Sequence, residues 1–192
     1  MRRAVLLLLP FCFLLVTTGC GRKVEVVAPD TAINLSGRWN DADSKSVSSE
    51  MIDQCLNGAW ISNFRDSNGH NPVVRVALVE NRSSEEVATQ IFTNDLERSL
   101  INSGKVRVVA SRTEAGAQRE ERADVQGNAA ITPASGKEQA PDFSLLGSIR
   151  IQHDNSGSKQ VKFYQVDLKM VHLVTNETVW IGSTERKKVV TN

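Results

Sequence analysis

The sequence predicts an α/β domain, a mixed sheet of about five strands flanked by helices, behind an amino-terminal lipoprotein signal peptide. Three observations carry this. Residues 73–110 read as strand, helix and strand, a βαβ unit, which normally crosses over right-handed. The last third reads as three strands in an antiparallel meander, which can keep one face wet. Residues 1–20 have the three-part layout of a secretory signal and end in Gly19-Cys20.

The chain is organised around the βαβ unit. Residues 73–79 are rich in β-branched side chains and read as a buried strand. Asn81-Arg82-Ser83 breaks it, because short polar side chains compete for backbone hydrogen bonds. Ser83 or Ser84 is the expected cap of the next helix, with Glu85 and Glu86 in its first turn, where the helix dipole favours negative charge. Val87, Ile91, Leu96 and Leu100 recur at helical spacing, beside Ala88 and Phe92. Gly104 closes the helix in the left-handed position, and residues 106–110 return as a second strand. The turn ENRSSEE has no glycine-rich phosphate loop, so the unit gives a fold class and no nucleotide site.

Upstream, two arginines precede an apolar run over residues 4–16. That run is about a dozen residues, too short to cross a hydrocarbon layer of ~30 Å as a helix. It resembles a bacterial lipoprotein signal, in which the cysteine after a small residue takes the lipid. Thr17 stands where Leu or Val is commoner; an ordinary secretory peptide cut nearby is the alternative. The expected organisation is a signal peptide over 1–19, a lipidated Cys20 with a short tether over 20–34, and one α/β domain over 35–192. Of the three cysteines, Cys12 leaves with the signal and Cys20 becomes the lipid-bearing terminus. Cys55 then has no intramolecular partner and is expected in the core. Gly21 follows the cysteine; an Asp there resembles an inner-membrane retention signal in enterobacterial lipoproteins, and its absence points to the outer membrane.

Residues 41–64 are expected to be one helix, capped by Asp41 or Asp43, with Val47, Met51, Cys55 and Ile61 near one stripe. It should stop by Phe64, before the turn-rich DSNGHNP. Trp39 and Trp60 are read as packing residues rather than binding anchors. Residues 111–122 read as a solvated surface helix, with Glu114, Gln118 and Arg122 one turn apart. Residues 125–141 are expected to form a loop, with a helical turn after Thr132-Pro133. The meander follows over 143–153, 161–174 and 179–190, with turns at DNSGS and Thr175-Asn176-Glu177.

The 192 residues carry a net charge of +1, with 40% hydrophobic and 23% charged residues. An ordinary globular composition with no basic surplus argues against a general nucleic-acid binder. The three histidines, His70, His153 and His172, have no second histidine or cysteine at ligand spacing, so no metal or other cofactor is expected. There is no GxSxG elbow and no HExxH. Nothing demands catalysis, so the chain reads as a non-enzyme.

These segments together resemble one family. WNDADS, SSEMIDQCL, PVVRVALVENRSSE, FTNDLERSLINSGKVRVVAS, REERADVQ, PDFSLLGSI, KFYQVDLKMVHLVTNETVWIGS and the closing KKVV are similar to the LpoB-type penicillin-binding-protein activator lipoproteins. By motif match, Trp39, Asn40, Asp41, Asp43, Asn81, Arg82, Asp95, Leu96, Asn102, Gly104 and Trp180 carry the family pattern, most of them as structural residues. The resemblance implies a fold like the amino-terminal domain of TolB. It also implies an outer-membrane lipoprotein, acylated with chains such as palmitate and facing the periplasm. Such a protein docks on a bifunctional peptidoglycan synthase and stimulates it. The alternative is an envelope scaffold or assembly lipoprotein with the same fold and another partner. The residues expected to contact the partner are Arg82 and, on the polar helix, Arg119, Glu120, Glu121 and Arg122. One feature departs from the family. Its best-studied members resemble a ball on a long proline-rich tether, whereas this tether has a single proline, Pro29, and about fifteen extended residues reach only ~50 Å.

Overall fold

The computed structural model describes residues 24–28, 31, 33, 36–129 and 137–191. The chain forms two units, Met1–Thr31 and Ala32–Asn192. In the first, residues 24–28 are exposed and without regular structure. The signal sequence, Cys20, Pro29 and the expected turn after Thr132-Pro133 lie outside the described residues.

The second unit is the α/β domain. Its elements run α1 (Asp41–Leu56), α2 (Trp60–Asn68), β1 (Val73–Val76), β2 (Glu80–Asn81), α3 (Thr89–Ser103), β3 (Arg107–Val109), α4 (Arg112–Asn128), β4 (Phe143–Ser156), β5 (Lys159–His172) and β6 (Thr178–Thr191). Among the described residues the sheet has six strands, in the order β3-β1-β4-β5-β6, with β2 also on β4. β1 is parallel to both β3 and β4, while β4, β5 and β6 are antiparallel. The mixed sheet and the meander are as the sequence predicts.

The sixth strand arises because the expected strand over 73–79 is interrupted. Val76 pairs with Leu145 and Glu80 with Ser148, so the β1–β2 side holds one residue more than β4 between these pairs. The surplus bulges at residues 77–79, and Asn81, expected to break the strand, instead pairs with Ile149.

Strand pleat decides which face each helix covers. Val74 and Val76 of β1, Phe143, Leu145 and Ile149 of β4, and Val166, Leu168 and Met170 of β5 point into the core, against α1, α2 and α3. Arg75 points the other way. It shares a cavity with Val109 of β3 and with Ala115, Gln118 and Arg122 of α4. α4 therefore lies on the face opposite α3, and the sheet is wound on both sides where β3, β1 and β4 meet. Among the described residues, no helix covers the second face over β4–β6.

The helices correct several expectations. Residues 41–64 form two helices, not one. At the end of α1 the Gly58 N–H reaches the Cys55 carbonyl (3.1 Å), and the Trp60 indole N–H donates to the same carbonyl at 2.8 Å. Those bonds satisfy the orphan end of α1 and turn the chain into α2. α2 then passes the expected stop at Phe64 and ends at Gly69, φ +73°. The cap of α1 is Asn40 rather than an aspartate. Its side chain accepts from the Asp43 N–H at 3.0 Å, and Asp43 accepts the Asn40 N–H at 2.9 Å, a reciprocal box.

α3 begins at Thr89, later than expected, and without a side-chain cap. The serines and Glu85 are used elsewhere. Ser83 accepts from the Glu85 N–H and donates to Asn81, and Glu85 bonds Lys162 and Tyr164 across the domain. The later start also changes the buried stripe to Phe92, Leu96 and Leu100, leaving Ile91 52% exposed. Gly104 closes α3 with φ +64°. α4 extends beyond the expected helix to Asn128 and is capped by Ser111, with Glu114 returning the bond. β4 runs into the expected DNSGS segment as far as Ser156, and the turn itself falls at its last two residues, Gly157 and Ser158. Cys55 is fully buried, and burial pushes its thiol up to about 12.

Candidate partner-binding crevice

Where two neighbouring parallel strands send their following helices to opposite faces of a sheet, a crevice opens beyond their carboxyl ends. β1 leads to α3 on the core face, and β3 leads to α4 on the other. The cavity at that point measures about 750 Å³. Arg75, Ala77 and Leu78 come from the end of β1, Thr93 and Glu97 from α3, and Arg112 and Glu114 from the first turn of α4. It flares onto the helix-free sheet face, floored by Leu146 of β4 and by Val171 and Leu173 of the β5 end. There it meets a second groove of about 340 Å³ through the shared Leu78 and Leu146. That groove crosses the register row Leu146, Lys169 and Ile181 of β4, β5 and β6. Leu78 and Ile181 are 59% and 73% exposed, so the floor offers apolar surface to solvent.

The charges around this surface are partly neutralised from within. Arg82 pairs with Glu80 at 2.6 Å, and Arg150 with Asp167 at 3.0 Å. Glu114 is held low by its bonds to Ser111, as the box that caps α4. Glu97 is shifted up by burial and by the nearby Glu114 charge. Arg75 donates Nε to the Ala110 carbonyl at 3.0 Å, which leaves its two terminal nitrogens available.

The sequence-predicted contact residues do not converge on one place. Arg82 lies in the groove over β4 and β5. Arg119, Glu120 and Glu121 are exposed on α4. Arg119 and Arg122 are both engaged by Glu138, at 2.7 and 3.3 Å. That fork joins α4 to the segment before β4 and engages two of the three arginines expected to face a partner. Sequence reasoning missed Arg75, Arg112 and Lys169. Arg75 carried a readable signal, as the single charge inside the apolar run VVRV.

The family-pattern residues serve the frame. Trp39 donates Nε1–H to Ser44 at 2.8 Å and packs on Phe92 and Tyr164, with centroids 6.1 and 5.6 Å away. Asp41 sits in the first turn of α1, and Asp43 pairs with Lys188. Asn81 shapes the loop after β2 by accepting from Ser83 and donating to Glu85 O at 2.8 Å. Leu96 is fully buried, Asp95 pairs with Arg98, and Trp180 packs at the core margin. Asn102 is exposed. A latch of buried polar groups holds the loop before α3. Glu85 accepts from Lys162 Nζ at 2.7 Å and from the Tyr164 hydroxyl at 2.6 Å. That hydroxyl also lies 3.2 Å from the Gly37 carbonyl. It has one proton, so the shorter bond to the carboxylate takes it.

The histidines are separate. His153 faces Ser84, His172 accepts from the Thr175 N–H, and His70 stacks edge-on with Phe64. Among the described residues no group of three metal-ligating side chains occurs, and no helix is long and apolar enough to cross a membrane.

The family model described as "Peptidoglycan-synthase activator LpoB" matches residues 43–186, three quarters of the sequence. The chain belongs to the LpoB family. No curated protein matches it. Among solved structures, the LpoB C-terminal domain from Escherichia coli is 17% identical; the match covers 76% of this chain and 99% of that one, with a TM-score of 0.43. The LpoB C-terminal domain from Salmonella enterica is 15% identical, with 78% and 99% covered and a TM-score of 0.44. Lipoprotein GNA1162 from Neisseria meningitidis is 13% identical, with 62% and 83% covered and a TM-score of 0.42. Membership in the LpoB family rests on the match along the sequence. It takes in every element from α1 to most of β6, and so the whole crevice.

Proposed function

We propose that this protein is a non-catalytic lipoprotein of the outer membrane, facing the periplasm, that binds a bifunctional penicillin-binding protein and stimulates its glycan-strand synthesis. The match to the peptidoglycan-synthase activator family over residues 43–186 carries the reading. Two features are in keeping with it. Among the described residues, the buried or half-buried carboxylates of Asp43 and Glu85 serve a helix cap and ion pairs, and Glu114 caps α4. Among the described residues, nothing covers the apolar, charge-rimmed face of the sheet, as a binding domain requires. Cys20 is the proposed lipid site, and no nucleic acid or cofactor enters the scheme.

A scaffold role in the envelope is the second reading, favoured by the short stretch between Cys20 and the domain, whose reach is ~50 Å. The deciding experiment adds the purified mature protein to each bifunctional synthase of the same cell and measures glycan-strand synthesis. Stimulation of one synthase is the expected result. Failure to stimulate any of them removes the activator role and leaves the scaffold.

A further inference from the structure

We propose that the crevice beyond β1 and β3, with the groove it joins, receives an extended, carboxylate-bearing segment of a partner protein. The inference rests on the reading of this chain as a binding domain. Shape is the first argument. Crevice and groove share Leu78 and Leu146. The row from Leu146 through Lys169 to Ile181 spans two strand spacings, roughly 10 Å. A compact ligand would fill one basin; an extended chain reaches both.

Charge is the second argument. Glu80 and Asp167 are taken by Arg82 and Arg150. Arg112 and Lys169, among the described residues, have no carboxylate partner, and Arg75 uses only its Nε. Against these three cations stand the half-buried Glu97 and the capping Glu114, so the surface keeps a cationic surplus of one that a carboxylate would offset. Arg75 and Arg112 lie at the crevice and Lys169 in the groove. Carboxylates at intervals along the occupant would meet all three. The exposed floor between them suits an aliphatic side chain. Every second side chain of an extended chain faces one surface, so a strand whose inward positions alternate glutamate with an aliphatic residue presents both.

The test uses the mature protein, labelled with ¹⁵N, and a synthetic heptapeptide blocked at both ends, whose first, third, fifth and seventh residues are glutamate, valine, glutamate and valine, with threonine between them. A matching peptide with lysine for glutamate is the control. The expected result is that the acidic peptide shifts the amide signals of Ala77, Leu78, Leu146 and Lys169, and the lysine peptide does not. Equal response to both, or shifts scattered over cations elsewhere, overturns the proposal. Arg112→Glu and Lys169→Glu should each weaken acidic-peptide binding at least fivefold, whereas Lys159→Glu in the distal hairpin should not. Arg75→Glu is a further arm, read only with an unchanged thermal midpoint because Arg75 also holds Ala110.

The cognate synthase separates this inference from the functional one. Synthase binding that Arg112→Glu and Lys169→Glu leave intact overturns the crevice and spares the activator role. Acidic-peptide binding at the crevice with no synthase binding spares the crevice and removes that role.

Discussion

Glu85 illustrates how a single residue can be misplaced by local sequence rules and still be fixed by physics. Its position after two serines matches a helix first turn, yet the carboxylate crosses to Lys162, which is only 6% exposed. Burial pushes Glu85 up, but the bonds from Lys162 and Tyr164 outweigh it and hold the carboxyl below its usual value. A folded value below the unfolded one gives stability that is present above about pH 4.3 and lost as pH falls through the folded value. Glu85→Gln should therefore be less stable at neutral pH and show a shallower loss as the pH falls below about 4.3. Urea titrations of both proteins across that range check it; parallel curves would show that the latch is not coupled to protonation. Leu96 is the simpler case. It is fully buried on α3, so Leu96→Ala should lower stability by about 2–5 kcal/mol, measured by the same titrations.

At the scale of elements, the sequence was most readable where one period or one special backbone angle decided the outcome. In the expected strand over 161–174 the alternate residues Tyr164, Val166, Leu168 and Met170 are all buried, and Gly104 takes the left-handed angle expected of it. The errors fall where a tertiary bond overrules a local preference. The start of α3 yields to the Glu85 latch. The split between α1 and α2 depends on Trp60 reaching back to Cys55, a contact no periodicity reports. The crevice was not legible because it comes from topology: β1 and β3 are adjacent, and their helices go to opposite faces. Only Arg75 hinted at it. The pairing of Arg119 and Arg122 with Glu138 was not legible either, because it joins α4 to a residue 16 to 19 positions further on. The Asn40 cap belongs to this scale too. Asn40→Ala removes the acceptor for the Asp43 N–H and should cost about 1 kcal/mol. Asn40→Gly should cost only a few tenths, so thermal or urea unfolding of the pair separates capping from other contacts.

For the whole molecule, the question is where the domain is held. A residue-20 lipid would place everything from α1 onward at the end of a short chain, within about 50 Å of the membrane that takes the acyl groups. One acyl chain gives reversible attachment, while two or more, at about 0.8 kcal/mol per buried CH₂, give stable anchoring. Cys20→Ala should thus move the protein from the membrane fraction to the soluble fraction while leaving the folded domain unchanged, since the side chains that pack on the core begin at Trp39. Mass spectrometry of the mature amino terminus should find a lipid-modified cysteine at residue 20 in the wild type. An unmodified terminus at another residue would refute the anchor and remove the limit on reach. With the anchor in place, lengthening the tether becomes informative. Inserting about fifteen flexible residues after Gly21 adds no contact to the domain. If reach limits engagement of a synthase in the inner membrane, the insertion should increase cross-linking to it in the cell. Unchanged cross-linking would mean that the partner's own domains already extend to meet the crevice.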